Sequence, residues 1–499
     1  MTFAVALGAI GTPGDDPDAL ADLARLALEE GEEEAALRVI APAAEGSGDA
    51  RLWQWTGLLN RALDDHALAL DAFASAARFD PDNASIAHGH ARVALEAGLD
   101  ARALFDRALV LGVSGDVILG RGAARFAMGE GKAVAADLAT LLDHNPLWGE
   151  GHVQWAQLSA MNGNAANATA TIDRALARHS NEPALWHTAI HILTSAGRHA
   201  EAWEYADRAI AATADPSGFA LARAAALSDS GEAGEAEQAF AALGEPASPA
   251  HAVHFSRHLI RLERWAPLAG LVDRWMVGES AHAFWPYASI AWRVTDDVRW
   301  TWLEGDEQLV RTYDLPLGKR ALDNLAAKLR LLHAGSGRFL DQSVRGGTQT
   351  DGPLFSRLDP EIRTLRGAVE TAVADYRAGL PPIDASHPML RHRRDRRLRF
   401  AGSWSVRLSG AGFHSNHVHS QGWISSAFYV SVPPDLPPDQ GWLTLGEPQA
   451  ELGLDLPALH RVEPRAGRLV LFPSMMWHGT LPFAQGERLT VAFDVARPR

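Results

Sequence analysis

The tripeptide Asp-Arg-Ala occurs at Asp106, Asp173 and Asp207, the last two copies 34 residues apart and the first two 67 apart, close to twice that interval. A chain that repeats itself at a short fixed period cannot close one core within a period. Each period is a supersecondary unit that must bury its apolar face on its neighbours, so the expected product is an elongated stack. The surrounding residues are rich in Ala and Leu and poor in β-branched runs, and the unit therefore reads as helical.

The clearest unit runs from Ala50 to Asn83. Trp53 and Gly57 fall early in its first helix, Ala69, Phe73 and Ala76 in its second, and Pro81 closes it. Small residues let the two helices approach, the aromatic fills the groove between them, and the proline stops the second helix. A second unit starts near Pro183, with Trp186, Ala202 and Ala209. In these offsets residues 15–280 resemble tetratricopeptide repeats. The resemblance implies an α-solenoid whose concave surface takes up an extended peptide or a partner protein; an irregular helical bundle is the rival reading. The isolated histidines of this half (His88, His90, His152, His187, His191, His199) are expected on the surface or in the groove rather than on a metal.

A length of 499 residues is more than one core usually supports, and two or more domains are expected. The chain contains no cysteine, which excludes disulfides, thiolate zinc and iron–sulfur clusters and leaves His, Asp and Glu as metal ligands. A net charge of -15 argues against general nucleic-acid binding. That charge is uneven. Residues 1–50 hold eleven Asp and Glu against two Arg, and Arg391 to Arg399 holds six Arg in nine residues. A polyanion patch is one reading of the basic run; a solvated or domain-docking surface is the expected one. No secretory signal and no apolar stretch near the ~20 residues of a membrane span are visible, so no membrane partner and a soluble cytoplasmic protein are expected.

Near residues 280–305 the texture changes, with Trp285, Trp292, Trp300 and Trp302 clustered. Glu361 to Arg377 has helical spacing. Ile424–Val432, Gly441–Leu445, Arg468–Phe472 and Arg488–Val495 read as short strands, the last alternating Leu489, Val491, Phe493 and Val495 with polar or small residues. Several strands with little helix between them predict a double-sheet jelly roll with flanking helices over residues 290–499.

Within it, His417 and His419 are two residues apart on an extended segment and point to one side. His478, supplied by a distant strand, can complete one face of a metal. Such a set leaves positions open, which suits an Fe(II) that must also bind O2 and a co-substrate. Arg488, in the last strand, can grip a carboxylate. His414 is expected to be substrate-facing or to stand behind the ligands. Trp423 and Trp477, which flank the metal histidines, are expected in the core.

The segments Ser403–Arg407, Phe413–His419, Gly422–Ser426, Gly467–Ser474, Trp477–Gly479 and Arg488–Asp494, with Gln342–Gln349 upstream, are similar to the Fe(II)/2-oxoglutarate-dependent oxygenases. More narrowly, they resemble a bacterial subgroup in which the oxygenase follows tetratricopeptide repeats. The resemblance implies a double-stranded β-helix holding iron through a His-x-carboxylate pair and a distal His. Here that means His417, His419 and His478, with a histidine where Asp or Glu is usual. Either three imidazoles hold the iron, the simpler reading, or a carboxylate such as Glu447 completes it. Arg488 is implied to hold 2-oxoglutarate, with Arg407, Ser405 and Thr490 as further co-substrate contacts and Arg345 and Gln349 on a Gly-rich loop over the mouth.

The activity implied is hydroxylation of an unactivated C–H bond, with a protein or peptide delivered by the repeats as substrate. Three readings stand beside it: a small-molecule hydroxylase that uses its repeats for assembly, a cupin-like three-histidine metalloenzyme without 2-oxoglutarate, and a non-catalytic repeat scaffold.

Overall fold

A computed structural model describes residues 1–10, 16–334, 337, 340, 343–434 and 436–498. Gln342, quoted above with the subgroup's motif, lies outside the described residues. From Pro17 to Trp275 the chain is a succession of helix pairs. In the Ala50–Asn83 unit the helices are Ala50–Ala62 and His66–Phe79. The Phe73 ring wedges between the first helix of its own unit and that of the next. A Cβ on Gly57 would lie 2.7 Å from that ring, and one on Gly89, in the helix Ala84–Glu96, 2.3 Å. This one aromatic thus fixes the spacing of two units. Side-chain caps mark the boundaries: Asp49 Oδ1 accepts from Arg51 N (2.7 Å), and Asn83 Oδ1 from Ser85 N (3.0 Å).

Among the described residues the second half forms a jelly roll of nine strands: β1 (Arg311–Asp314), β2 (Val344–Gln349), β3 (Phe400–His414), β4 (Gly422–Ser431), β5 (Leu443–Leu445), β6 (His460–Val462), β7 (Arg468–Pro473), β8 (His478–Thr480) and β9 (Glu487–Ala496). A six-stranded sheet in the order β1-β7-β4-β9-β3-β2 faces a three-stranded sheet in the order β6-β5-β8, all pairs antiparallel. The helices Lys319–His333 and Pro360–Ala378 cover the outer face of the large sheet. Leu325, Leu329, Leu365 and Val369 pack there against Leu489, Val491 and Phe493. The alternation in β9 therefore turns Arg488, Thr490 and Ala492 inward, between the sheets. Residues 345–349, expected as a loop, are part of β2, paired with β3. Gly346 (φ 70°) forms a bulge there, where its added Cβ would come within 2.9 Å of the Gly412 backbone.

The solenoid packs on the β domain through the loops that follow the first helix of successive units. Arg396 pairs with Glu32, Arg397 with Asp65 (2.8 and 2.9 Å) and Arg399 with Glu33 (2.8 Å). Phe400 N donates to Asp64 Oδ2 (3.0 Å), Leu358 N to Ala97 O (3.0 Å), and at the far end Arg261 Nε to Glu451 O (3.0 Å). Glu32 and Glu33 of the acidic first fifty residues, with Asp65 beyond them, thus meet the basic run at 391–399 in one interface. The hydrogen bond from Arg396 also holds the Glu32 carboxyl below its usual range. Glu33 is almost fully buried, so Arg399→Ala leaves its carboxylate without its guanidinium. A loss of about 3 kcal/mol is expected, at the low end for a broken buried pair because Arg399 is partly exposed. It reads as a lower calorimetric unfolding midpoint, and an unchanged midpoint would show that this pair does not hold the domains together.

Candidate functional site

His417 pairs with His478 at the edge of the small sheet. Each donates its backbone N–H to the other's carbonyl at 2.9 Å, an isolated antiparallel bridge. His419 N donates to Ser474 O at 2.9 Å. With three backbones tied together, the ring centroids lie 4.3 Å (His417 to His478), 4.9 Å (His417 to His419) and 5.0 Å (His419 to His478) apart. One nitrogen from each falls within 4.8 Å of the others. Among the described residues, no other set of His, Asp and Glu side chains converges in this way, and Glu447 is not part of it.

The three rings share one hydrogen-bond pattern. His417 Nδ1 lies 2.8 Å from Ser415 O, His478 Nδ1 lies 2.9 Å from Met476 O, and His419 Nδ1 lies 2.8 Å from Asp494 Oδ1. Carbonyl and carboxylate oxygens only accept, so each Nδ1 carries the proton and each Nε2 keeps its lone pair. Three Nε2 lone pairs with their tautomers fixed from behind are what a divalent cation requires of imidazoles. Burial, and secondarily His419, push His417 down to about 3; burial holds His478 and His414 well below the usual histidine range. His417 and His478 are therefore neutral at physiological pH, the form that ligates.

The depressed values have a consequence for the metal-free protein. Unfolding returns these rings to ordinary values near ~6.5, so below that pH the unfolded chain binds more protons. Stability of the apo-protein is expected to be full above pH ~6.5 and to fall as pH drops, by up to ~1.4 kcal/mol per pH unit for each buried ring. His333, held to about 4 by burial, adds to the effect. Urea unfolding at pH 7.5 and 5 measures it; a midpoint independent of pH would contradict the buried neutral rings.

The trio forms one wall of a cavity of about 400 Å³ whose other walls include Trp404, Val406, Ser426, Tyr429, Arg488 and Thr490. Arg488 is 1% exposed. Its Nη1 donates to Gly441 O (2.6 Å) and its Nη2 to Thr480 Oγ1 (2.9 Å), and Nε has no partner. Tyr429 Oη, also on this cavity, is buried without a partner. Burial lowers the pKa of Arg488 and raises that of Tyr429. No carboxylate among the described residues pairs with Arg488. A buried guanidinium and a phenol with open donors fit an anionic group from a ligand.

Other expected residues are placed as follows. Thr490 lines the cavity. Ser405 and Arg407 are not among its walls. Trp404 and Val406 take the inward positions of β3, and the pleat turns Ser405 and Arg407 to the opposite face. There Ser405 Oγ donates to Thr490 O (2.9 Å) and lies 3.0 Å from His333 Nε2, while Arg407 pairs with Glu487 (2.5 Å). Gln349 faces the cavity. So does His414, at the end of β3; its Nδ1 is 3.2 Å from Ser343 Oγ, which is 3.4 Å from His417 Nε2. Trp423 and Trp477 are core residues, their indole N–H groups donating to Met389 O and Pro286 O. Reading the sequence missed Asp494, Tyr429 and Ser343, which no spacing singles out.

Residues 402–494 match the family described as "Putative 2OG-Fe(II) oxygenase". The C-terminal half of the chain thus carries an oxygenase domain. It is a 2-oxoglutarate-dependent one, for which the family implies iron and 2-oxoglutarate. No curated protein matches the chain. Among solved structures, a Pseudomonas putida prolyl-4-hydroxylase is 21% identical over 41% of this chain and 97% of its own, with a TM-score of 0.28. A viral collagen prolyl hydroxylase from Paramecium Bursaria Chlorella virus-1, in complex with 2-oxoglutarate, is 13% identical over 39% and 98%, with a TM-score of 0.27. On the helical side, the tetratricopeptide protein YrrB, with an unusual peptide-binding site, is 19% identical over 36% and 95%, with a TM-score of 0.24. No helix is long and apolar enough to cross a membrane among the described residues.

Proposed function

We propose that the chain hydroxylates a side chain of a protein or peptide, with Fe(II) held by His417, His419 and His478 and 2-oxoglutarate held at its far carboxylate by Arg488. When bound, iron supplies the means to couple O2 and the oxidative decarboxylation of 2-oxoglutarate to succinate and CO2 with insertion of one oxygen atom into a C–H bond. The residues do the rest. Arg488, Thr480 and Tyr429 offer N–H and O–H donors to the carboxylate. Trp404, Val406 and Ala492 wall the cavity with apolar surface and exclude water from the reacting groups.

The observation that carries the substrate class is how closely the repeats approach the site. Leu340 N donates to Gln157 Oε1 (3.2 Å) on the repeat helix Gly149–Met161, and Ser343, three residues on, touches His414 and His417. A chain segment resting on the solenoid at that point lies a few residues from the ligands. The cavity suits 2-oxoglutarate plus one inserted side chain better than a bulky free metabolite. The test is to incubate the full chain with Fe(II), 2-oxoglutarate and either a proteome-derived peptide pool or a small-metabolite extract. The reading expects peptides that gain the mass of one oxygen atom and succinate formed in step with them. Oxygenation confined to the metabolite extract would overturn the substrate class and leave the oxygenase standing.

A further inference from the structure

His419 differs from its two partners in what stands behind it. His417 and His478 rest their Nδ1–H groups on backbone carbonyls, whereas His419 rests on the carboxylate of Asp494, with Oδ1 at 2.8 Å and Oδ2 at 2.7 Å. That carboxylate is itself fixed. Ser425, opposite Asp494 in the β4–β9 register, donates to Oδ1 at 2.6 Å and lies 2.9 Å from Ser474 Oγ. Asp494, Ser425 and Ser474 are all buried. Asp494 is not within ligand range of the trio, and no other Asp or Glu among the described residues joins it.

Three imidazoles give a divalent cation no anionic ligand. The one position where a carboxylate is usual in similar oxygenases is the one histidine backed by a carboxylate. Resting on the reading that the trio holds iron, we infer that the His419–Asp494 pair replaces a direct carboxylate ligand. Asp494 fixes the His419 tautomer with Nε2 toward the metal. It places its negative charge one hydrogen bond behind the ligand and makes the imidazole a stronger donor. Asp494 is a positioning residue; it touches neither substrate nor co-substrate. A purely structural role, joining β4 to β9 through Ser425, is the competing explanation, and the two differ in what a relocated carboxylate does.

The experiment uses the full chain as wild type, Asp494→Asn, and the double variant His419→Asp with Asp494→Asn, which moves the carboxylate onto the metal. Anaerobic Fe(II) affinity and the energy of the visible charge-transfer band with 2-oxoglutarate are read. Asp494→Asn is expected to weaken Fe(II) binding by ~10- to 100-fold and to shift the band to higher energy as the metal becomes less electron-rich. The double variant is expected to recover most of the lost affinity. Unchanged affinity and band in Asp494→Asn, or a double variant no better than the single, overturns the inference, and so does loss of folding in both. A wild type that binds no Fe(II) overturns the site reading itself, a result distinct from all of these.

Discussion

His478→Ala is expected to abolish 2-oxoglutarate turnover. The ring is buried between the two sheets and supplies the one ligand that comes from the small sheet, at the start of β8. Changing a group that merely supports a ligand commonly costs 10- to 100-fold in affinity or activity, so deleting the ligand itself should exceed ~100-fold. His417 and His419 come from one short segment, and His478 is what makes the set facial rather than a pair. Its bridge to His417 runs through backbone atoms, which alanine keeps, so the fold should survive. Succinate formation and bound iron are measured together, with circular dichroism as the folding control. A variant that keeps one equivalent of iron and wild-type turnover would remove His478 from the site.

Arg488→Met is expected to act on 2-oxoglutarate rather than on iron. The guanidinium is buried, held by Gly441 O and Thr480 Oγ1, with its Nε open. Truncating one partner of a buried charge pair typically costs 2–5 kcal/mol, much of it the penalty of leaving the other charge alone. At ~1.4 kcal/mol per decade, KM for 2-oxoglutarate should rise at least ~30-fold, with a smaller effect on kcat at saturation. Arg488→Lys should recover little, because a single ammonium cannot reproduce the fork that spans Gly441, Thr480 and a carboxylate. An unchanged KM would mean that Arg488 is a structural cation and that the co-substrate lies elsewhere.

Much of this was legible before any coordinates, for identifiable reasons. A 34-residue recurrence survives divergence because one aromatic, here Phe73, must fit glycines in two neighbouring helices. The strand runs near the chain end showed because burial on one face imposes period-2 alternation, as in Leu489, Val491 and Phe493. The histidines stood out because two of them share one segment. What did not show depends on register. Asp494 lies 75 residues from His419, and only the pairing of Ser425 with Asp494 brings the carboxylate to the ring. The placement of Ser405 and Arg407 off the cavity wall depends on register in the same way. The pleat of β3 decides which alternate residues face the cavity, and Trp404 and Val406 hold those positions. Arg391 to Arg399 was expected to be a solvated or docking surface; its acidic partners, Glu32, Glu33 and Asp65, lie more than 300 residues away, and no local pattern names them.

The central claim is that three imidazoles hold an iron that takes up 2-oxoglutarate. The most direct measurement is an anaerobic titration of the wild-type chain with Fe(II) and then 2-oxoglutarate, followed by visible absorption. The account predicts one equivalent of each bound and a metal-to-ligand charge-transfer band that grows with 2-oxoglutarate. Iron bound at one equivalent with no band at any 2-oxoglutarate concentration would contradict it and favour a three-histidine metalloenzyme that works without the oxo acid.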